Sequence, residues 1–167
     1  MKTLFIATLL IAATTYPALA LSPNEGMQTG SAGLELIRNY EGLRLKAYRC
    51  PAGVLTIGYG HTGGVRVGQE ITKELAVHYL MKDCERFEKH ISTKVTKRAL
   101  KQNQFDACVS LCYNAGYQIK GELQTNLNLD NTEGVKKGFR KIVHAKGKKL
   151  NGLVRRREAE IQLYVKE

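Results

Sequence analysis

EGLRLKAYRCPAGVLTIGYGHT, residues 41–62, is the stretch around which the rest of the chain is organised. Glycine supplies the positive φ angles that tight turns need, and in the second half of the stretch glycines alternate with apolar residues such as Leu55 and Ile57. This pattern predicts a short, twisted β-hairpin, a rigid frame for reactive groups. The candidate reactive groups are one carboxylate, one thiol and one hydroxyl, carried by Glu41, Cys50 and Thr56.

A helix is predicted immediately before this stretch, over residues 32–40, with Ser31 as its N-cap and with Leu34 and Ile37 on its apolar side. Glu41 lies at the end of this helix. A carboxylate there meets the negative end of the helix dipole, which disfavours its ionised form. A carboxyl group that keeps its proton can act as a general acid.

The remainder of the chain is predicted to be mostly helical. Thr72 is a predicted N-cap for a long helix that reaches Ile91, and a second helix begins near Lys101 and stops at Gly116. Residues 123–129 are ambiguous. Residues 130–133 are predicted to start a further helix that leads into residues 135–143. The last helix is predicted over residues 153–165, and its first turn carries three successive arginines, Arg155, Arg156 and Arg157. Cations at a helix N-terminus oppose the helix dipole and cost stability unless anions lie close to them.

The formal charge of +11 and the pI near 9.6 predict a polyanionic partner. Nucleic acid, an anionic lipid or lipopolysaccharide surface and an anionic wall polymer all satisfy this charge. Residues 1–20 have a basic start, an apolar centre and an A-x-A end, typical of a secretory signal peptide or an uncleaved signal-anchor. Residues 21–31 are polar and rich in turn formers, so they are predicted to be a linker. Export disfavours nucleic acid as the partner.

Four cysteines are present, and export would place them in an oxidising compartment where disulfides persist. Their spacing fits no zinc pattern, so neither a metal nor a cofactor is predicted. Cys108 and Cys112 lie four residues apart on a predicted helix, where they are neighbours but poor disulfide partners. The alternative is that they are small buried apolar groups.

Three motifs carry a family resemblance: residues 41–62, then QNQFDACVSLCYNAG, then GLVRRREAEIQLY. In this order and at these separations, they resemble the phage-type lysozymes of glycoside hydrolase family 24 across residues 32–167. The resemblance implies a mostly helical α+β domain of two lobes, a β-hairpin lobe and a helical lobe, joined by a long helix. It also implies a muramidase that hydrolyses the β-1,4 bond between N-acetylmuramic acid and N-acetylglucosamine of peptidoglycan.

The resemblance assigns catalytic roles to three residues. Glu41 matches the acid of the family, and Thr56 matches the threonine that holds the attacking water. Cys50 occupies the second catalytic position, where most members have aspartate. A thiol with a pKa of about 8.5 is mostly protonated at neutral pH. We therefore expect the adjacent Arg49 and the arginine cluster to lower the pKa of Cys50, and both base and nucleophile roles stay open.

Other residues receive supporting roles from the same resemblance. Arg155 is the expected partner of Glu41, and His61 and Asp83 match an ion pair that holds the lobe together. Ile142 stands where members often carry tryptophan. The residues expected to line the saccharide cleft are Thr62, Tyr113 and Asn114.

Two alternatives accompany this interpretation. A catalytically impaired cationic protein could bind the wall or lipopolysaccharide and permeabilise membranes. A redox latch could hold Cys50 in a disulfide with Cys84, Cys108 or Cys112, because residues 1–20 contain no cysteine. The predicted location is the periplasm or the cell exterior, with transient membrane association through residues 1–20, and a monomer is the default state.

Overall fold

A computed structural model describes residues 22–166 of the chain. The signal or anchor segment predicted over residues 1–20 lies outside the described residues. The elements in order are α1 (Ser31–Glu41), β1 (Arg44–Arg49), β2 (Leu55–Gly58), α2 (Lys73–Lys94), α3 (Gln102–Ala115), α4 (Gly121–Asn128), α5 (Thr132–Lys141), β3 (His144–Ala145), β4 (Lys148–Lys149) and α6 (Asn151–Val165).

The predicted hairpin is confirmed and is formed by β1 and β2. The two strands pair antiparallel, with Tyr48 opposite Thr56, and the register shifts between Arg44 and Tyr48. Gly53 in the connecting turn has a φ of +79°, in the left-handed region that glycine adopts without strain. The turn therefore closes between two strands whose pairing fixes Thr56 at a defined position.

The long connecting helix is also confirmed and is α2. Thr72 caps it, because its hydroxyl accepts a hydrogen bond from the backbone N–H of Leu75 at 3.2 Å. The helix continues for 22 residues to Lys94, three residues beyond the predicted end. At 1.5 Å per residue it is about 33 Å long and joins the hairpin lobe to the helical lobe.

The core of the helical lobe is built around α3. Every residue of α3 from Gln104 to Cys112 is buried, and the helix packs against α1, α2 and α6. It ends where predicted, since the N–H of Gly116 donates to the carbonyl of Cys112 at 2.8 Å. The ambiguous residues 123–129 form most of α4, and β3 and β4 form a second short hairpin between α5 and α6.

All four cysteines are free thiols, so the expected disulfides are not present. Cys84, Cys108 and Cys112 are fully buried among apolar residues of the helical core. Burial raises the pKa of Cys84 to about 12 and that of Cys112 to about 11, and it raises the pKa of Cys108 as well. They behave as small apolar groups, and a disulfide from any of them to Cys50 would require the core to open.

Residues 22–30, predicted as a linker, pack against the helical lobe. The side chain of Asn24 is completely buried and donates to the carbonyls of Val95 and Arg98 at 2.6 and 2.9 Å. Its Oδ1 accepts from the N–H of Leu100 at 2.7 Å. These hydrogen bonds join residues more than 70 positions apart, which is why local composition does not reveal them. No helix within residues 22–166 is long and apolar enough to cross a membrane.

Candidate active site

Glu41 is the last residue of α1 and is held by an arginine from the other end of the chain. Its Oε1 accepts from Nη1 of Arg156 at 2.6 Å. The Arg156 side chain is 4% exposed, whereas that of Glu41 is 25% exposed. One face of the carboxyl group is therefore fixed by a buried cation, and the other remains open to solvent.

The expected partner of Glu41, Arg155, does not make this contact. Arg155 is exposed, and the structure shows for it only a backbone contact in this region, in which its carbonyl accepts from the Tyr40 hydroxyl at 3.1 Å. Consecutive residues on a helix point about 100° apart, so only one of three adjacent arginines can face Glu41 directly. That residue is Arg156, and its guanidinium also lies over the Tyr40 ring at 5.3 Å.

A buried charge network supports Arg156. Glu160 is completely buried, and its Oε1 accepts from Nε of Arg156 at 3.2 Å and from Nη2 of Arg157 at 3.0 Å. The hydroxyl of Ser110 donates to the same oxygen at 2.8 Å. Burial raises the pKa of Glu160, and the two guanidiniums and this hydroxyl oppose that rise. Two of the three arginines, Arg156 and Arg157, thus find their carboxyl partners in Glu41 and Glu160.

Gly60 brings the end of the hairpin against Glu41. A methyl group placed on Gly60 would lie 3.9 Å from Oε2 of Glu41 and 3.9 Å from the hydroxyl oxygen of Tyr113. That hydroxyl donates to the carbonyl of Tyr59 at 2.8 Å, and burial raises the pKa of Tyr113 well above its ordinary value. Glu41 and Tyr113 therefore belong to one group of side chains at the base of the hairpin.

Cys50 and Thr56 form a second group, at the turn of the hairpin. Cys50 follows β1 and is partly exposed, while Thr56 lies on β2 and is 4% exposed. Hydrogen bonding from the backbone amides of Ala52 and then Val54 lowers the pKa of Cys50. The hydroxyl of Thr56 donates to the carbonyl of Val54 at 3.0 Å, which leaves its oxygen free to accept. The turn favours a thiolate.

The cause of this lowered pKa differs from the expected one. Arginine neighbours were predicted to stabilise the thiolate, but Nη1 of Arg49 donates to the carbonyl of Gly53 at 2.8 Å. Arg156 and Arg157 are engaged with Glu41 and Glu160. The pKa of Cys50 is therefore lowered mainly by backbone amides of the turn and not by the guanidinium groups that the sequence suggested.

His61 and Asp83 lie together, as expected for a supporting pair. Nδ1 of His61 is 2.9 Å from Oδ2 of Asp83, and its Nε2 is 2.8 Å from the carbonyl of Gly63. Both ring nitrogens are thus within hydrogen-bond distance of a protein oxygen, which fixes the orientation of the ring. The ring also stacks on Tyr79 with centroids 4.4 Å apart, so the pair joins the hairpin lobe to α2.

The remaining predicted cleft residues lie at the surface. Thr62 is exposed directly after His61. Asn114 is exposed near the end of α3, and its Oδ1 accepts from Nη2 of Arg157 at 3.0 Å. Asn114 also lines an open pocket with Ile142 and Leu150. Within residues 22–166, no group of three or more metal-binding side chains is placed to hold an ion.

The sequence singled out Arg156 only as one of three adjacent arginines, and it did not identify Glu160 or Ser110 as members of the site. A usable signal was present in α6, since Glu160 follows Arg156 by four residues and Arg157 by three. Ile161 lies on the same buried side of the helix as Arg157. The phase of the apolar residues therefore identifies which arginines turn inward. No comparable local signal identifies Ser110, which lies 50 residues from Glu160.

The two lobes, the connecting helix and the carboxyl group beside the hairpin define a lysozyme-like glycoside hydrolase. Residues 38–160 match the phage lysozyme family, and the chain belongs to that family, whose members cleave peptidoglycan. An endolysin of Acyrthosiphon pisum secondary endosymbiont phage 1 is 42% identical over 144 residues, which cover 83% of this chain and 98% of that protein.

A second relative is found both by sequence and by structure. The SAR-endolysin of Escherichia phage P1 is 33% identical over 153 residues, which cover 84% of this chain and 83% of that protein. The crystal structure of the active form of P1 phage endolysin Lyz matches with a TM-score of 0.76 at 30% identity, covering 85% of this chain and 87% of that one. The crystal structure of the secreted inactive form of the same protein matches with a TM-score of 0.56 at 29% identity, covering 83% of this chain and 96% of that one. The described fold is therefore closer to the active form.

Proposed function

We propose that this protein is a host-lysis muramidase that hydrolyses the β-1,4 bond between N-acetylmuramic acid and N-acetylglucosamine, with Glu41 as the general acid. The observation that carries the proposal is the fixed, half-open carboxyl group of Glu41, held at 2.6 Å by the buried Arg156 beside the hairpin. A positioned carboxyl group of this kind protonates the glycosidic oxygen as the bond breaks.

The thiolate of Cys50 acts as the base in this proposal, at the position where most family members carry aspartate. The backbone amides of Ala52 and Val54 support it, because they lower the pKa of the thiol. The neighbouring hydroxyl of Thr56 holds the water from which Cys50 takes a proton. Activated water attacks the face of the sugar opposite the leaving group, so this assignment gives inversion at the anomeric carbon.

Proton NMR of the first product formed distinguishes this role from direct attack by sulfur. Inversion should give the α-anomer from the β-linked substrate before mutarotation. A first product in the β configuration would require two displacements through a sugar–sulfur intermediate. That result would replace the base assignment of Cys50 with a nucleophile assignment.

Recognition of the glycan is assigned to the surface around Glu41 and the pocket beside α3. Thr62 and Asn114 offer polar groups to the sugar, and Tyr113 adds an aromatic ring close to Glu41. The chain has no tryptophan, so tyrosine rings supply the stacking surface. His61 and Asp83 keep the hairpin lobe in place and take no part in the chemistry.

Export to the host envelope is part of the same proposal. It is supported by the apolar segment at residues 1–20 and by the resemblance to the SAR-endolysin of phage P1. Peptidoglycan lies outside the inner membrane, so an enzyme that cleaves it must cross that membrane. The strongly basic chain would also be attracted to anionic lipid or lipopolysaccharide nearby.

Release of muropeptides from purified sacculi tests the proposal through Glu41→Gln. We expect a loss of about 10²- to 10⁴-fold in the rate with binding to sacculi unchanged, because only the transferable proton is removed. Glu35→Gln is the matched control, since Glu35 is an exposed glutamate on the same helix. Full activity of Glu41→Gln would remove Glu41 as the general acid. Wild-type protein that binds sacculi but releases no muropeptides would support a cationic wall-binding protein in place of a muramidase.

A further inference from the structure

Arg156 is shared between two carboxylates. Its Nη1 donates to Glu41 at 2.6 Å and its Nε donates to Glu160 at 3.2 Å, while Nη2 faces the carbonyl of Ser110 at 3.4 Å. Glu41 is partly exposed, whereas Glu160 is completely buried. The positive charge beside Glu41 is therefore partly committed to a carboxylate that never contacts the substrate.

This sharing affects how readily Glu41 keeps its proton. A guanidinium paired with Glu41 alone would favour the ionised carboxylate, which cannot act as an acid. The negative charge of Glu160 opposes that effect, and it acts at short range in a site from which water is largely excluded. Arg157 weakens this effect of Glu160, because its positive charge lies 2.7 Å from the same carboxylate and offsets part of its negative charge.

We propose that Glu160 is a positioning residue for catalysis, which holds Arg156 between two carboxyl groups and so weakens the hold of its charge on Glu41. The inference rests on the proposed acid role of Glu41. Glu160 acts only through Arg156 and has no contact with the cleft.

The surrounding groups allow this assignment. Glu160 is faced by Arg156 and Arg157 from its own helix and by Ser110 from α3. The α3 thiols of Cys108 and Cys112 are also close, but burial raises the pKa of both and keeps them neutral. From α3, the hydroxyl of Tyr113 faces the same side of Gly60 as Glu41, and it is neutral for the same reason. Gly60 faces Glu41 from the hairpin.

The test is a carbon-13 NMR titration of the Glu41 carboxyl group in the intact protein, with the signal assigned by its loss in Glu41→Gln. Glu160→Gln removes one negative charge near Arg156, so we expect the titration midpoint to fall by about one pH unit. The alkaline limb of the pH profile of kcat/KM should move by the same amount. Glu160→Asp keeps the charge and should restore most of the shift.

Glu158→Gln is the matched control. Glu158 lies two residues before Glu160 on the same helix and pairs with Arg140 at the surface. Its substitution by glutamine removes the same formal charge as Glu160→Gln. Solvent screening should limit its effect on the Glu41 midpoint to about 0.2 units. Equal shifts from Glu158→Gln and Glu160→Gln would show a general charge effect and would overturn the proposal.

Arg157→Gln keeps the proposal testable if Glu160→Gln does not fold. It leaves Glu160 paired with Arg156 and Ser110, and we expect the Glu41 midpoint to rise, opposite to the effect of Glu160→Gln. An unchanged midpoint in Arg157→Gln, or in a folded Glu160→Gln, contradicts the inference. The titration does not depend on enzymatic activity. A fully active Glu41→Gln would therefore remove the proposed acid role of Glu41, but it would leave the measured shifts of the Glu41 midpoint unchanged.

Discussion

Glu41 and Cys50 are proposed to act on the same bond, but the regions that hold them differ in most physical respects. Glu41 is fixed by Arg156, which lies 115 residues away and is backed by the buried Glu160. Cys50 lies in an exposed turn, and the groups that lower its pKa are mainly backbone amides two and four residues further along the chain. The environment of the acid is therefore set by tertiary packing, and that of the thiol by local backbone geometry.

This difference implies that the two regions respond differently to mutation. Changes in the helical network should alter both stability and activity, because a buried charge loses its partner. Changes at the exposed turn should alter activity with little effect on stability.

The largest effect on stability is expected from Arg156→Met. It removes the partner of Glu41 and one of the two cationic partners of the buried Glu160, which should cost about 3 kcal/mol of unfolding free energy. Thermal unfolding should show a loss of about 10 °C. Arg155→Met is the control on an exposed neighbour and should change the free energy by less than about 0.5 kcal/mol. Similar losses from both variants would mean that the network is not the source of the stability.

Cys50→Ser should reduce activity without unfolding the protein. Serine cannot form an anion at neutral pH, so we expect muropeptide release to fall by about 10²-fold or more. Cys50→Asp supplies a carboxylate, which can also take a proton from water, and should retain activity. The melting temperatures of both variants should stay close to that of the wild type, because the side chain is partly exposed. A large drop in the melting temperature of Cys50→Ser would show that the turn contributes to stability as well as to activity, contrary to this expectation.

A smaller effect is expected from Asn24→Ala. The substitution removes three hydrogen bonds from a fully buried site and leaves the carbonyls of Val95 and Arg98 and the amide of Leu100 without this partner. Chemical denaturation should show a loss of about 2 kcal/mol. Glu25→Ala, at an exposed neighbour, is the control. Equal stability of the two variants would mean that residues 22–30 behave as the linker that their composition suggests.

Much of the fold was predictable because its signals are local. Thr72 and Gly116 mark helix boundaries through their own backbone and side-chain chemistry, and the glycines of residues 41–62 mark the hairpin. Glu41, Cys50 and Thr56 could be singled out by motif. The contacts that change the properties of these side chains could not be predicted from the sequence.

The reasons for those misses are physical. Choosing Arg156 over Arg155 requires the rotational phase of α6, and one residue of error turns a side chain by about 100°. The amides that lower the pKa of Cys50 belong to the backbone, so residue types reveal nothing of their direction. Asn24 bonds to a segment more than 70 residues away, and no composition rule reaches that distance.

Alkylation of the native protein with iodoacetamide tests whether the thiolate of the partly exposed Cys50 takes part in cleavage. The lowered pKa of Cys50 gives more thiolate at neutral pH, so its reaction should reach half-maximal rate at a lower pH than that of a free thiol. Cys84 and Cys112, with pKa values near 12 and 11, and the buried Cys108 should stay unlabelled until the protein unfolds.

The decisive measurement is muropeptide release as a function of the fraction of protein labelled at Cys50, determined by intact mass. We predict that activity falls in proportion to single labelling in the wild type and stays constant in Cys50→Asp treated in the same way. Full activity in wild-type protein that mass spectrometry shows to be completely labelled at Cys50 would contradict the account.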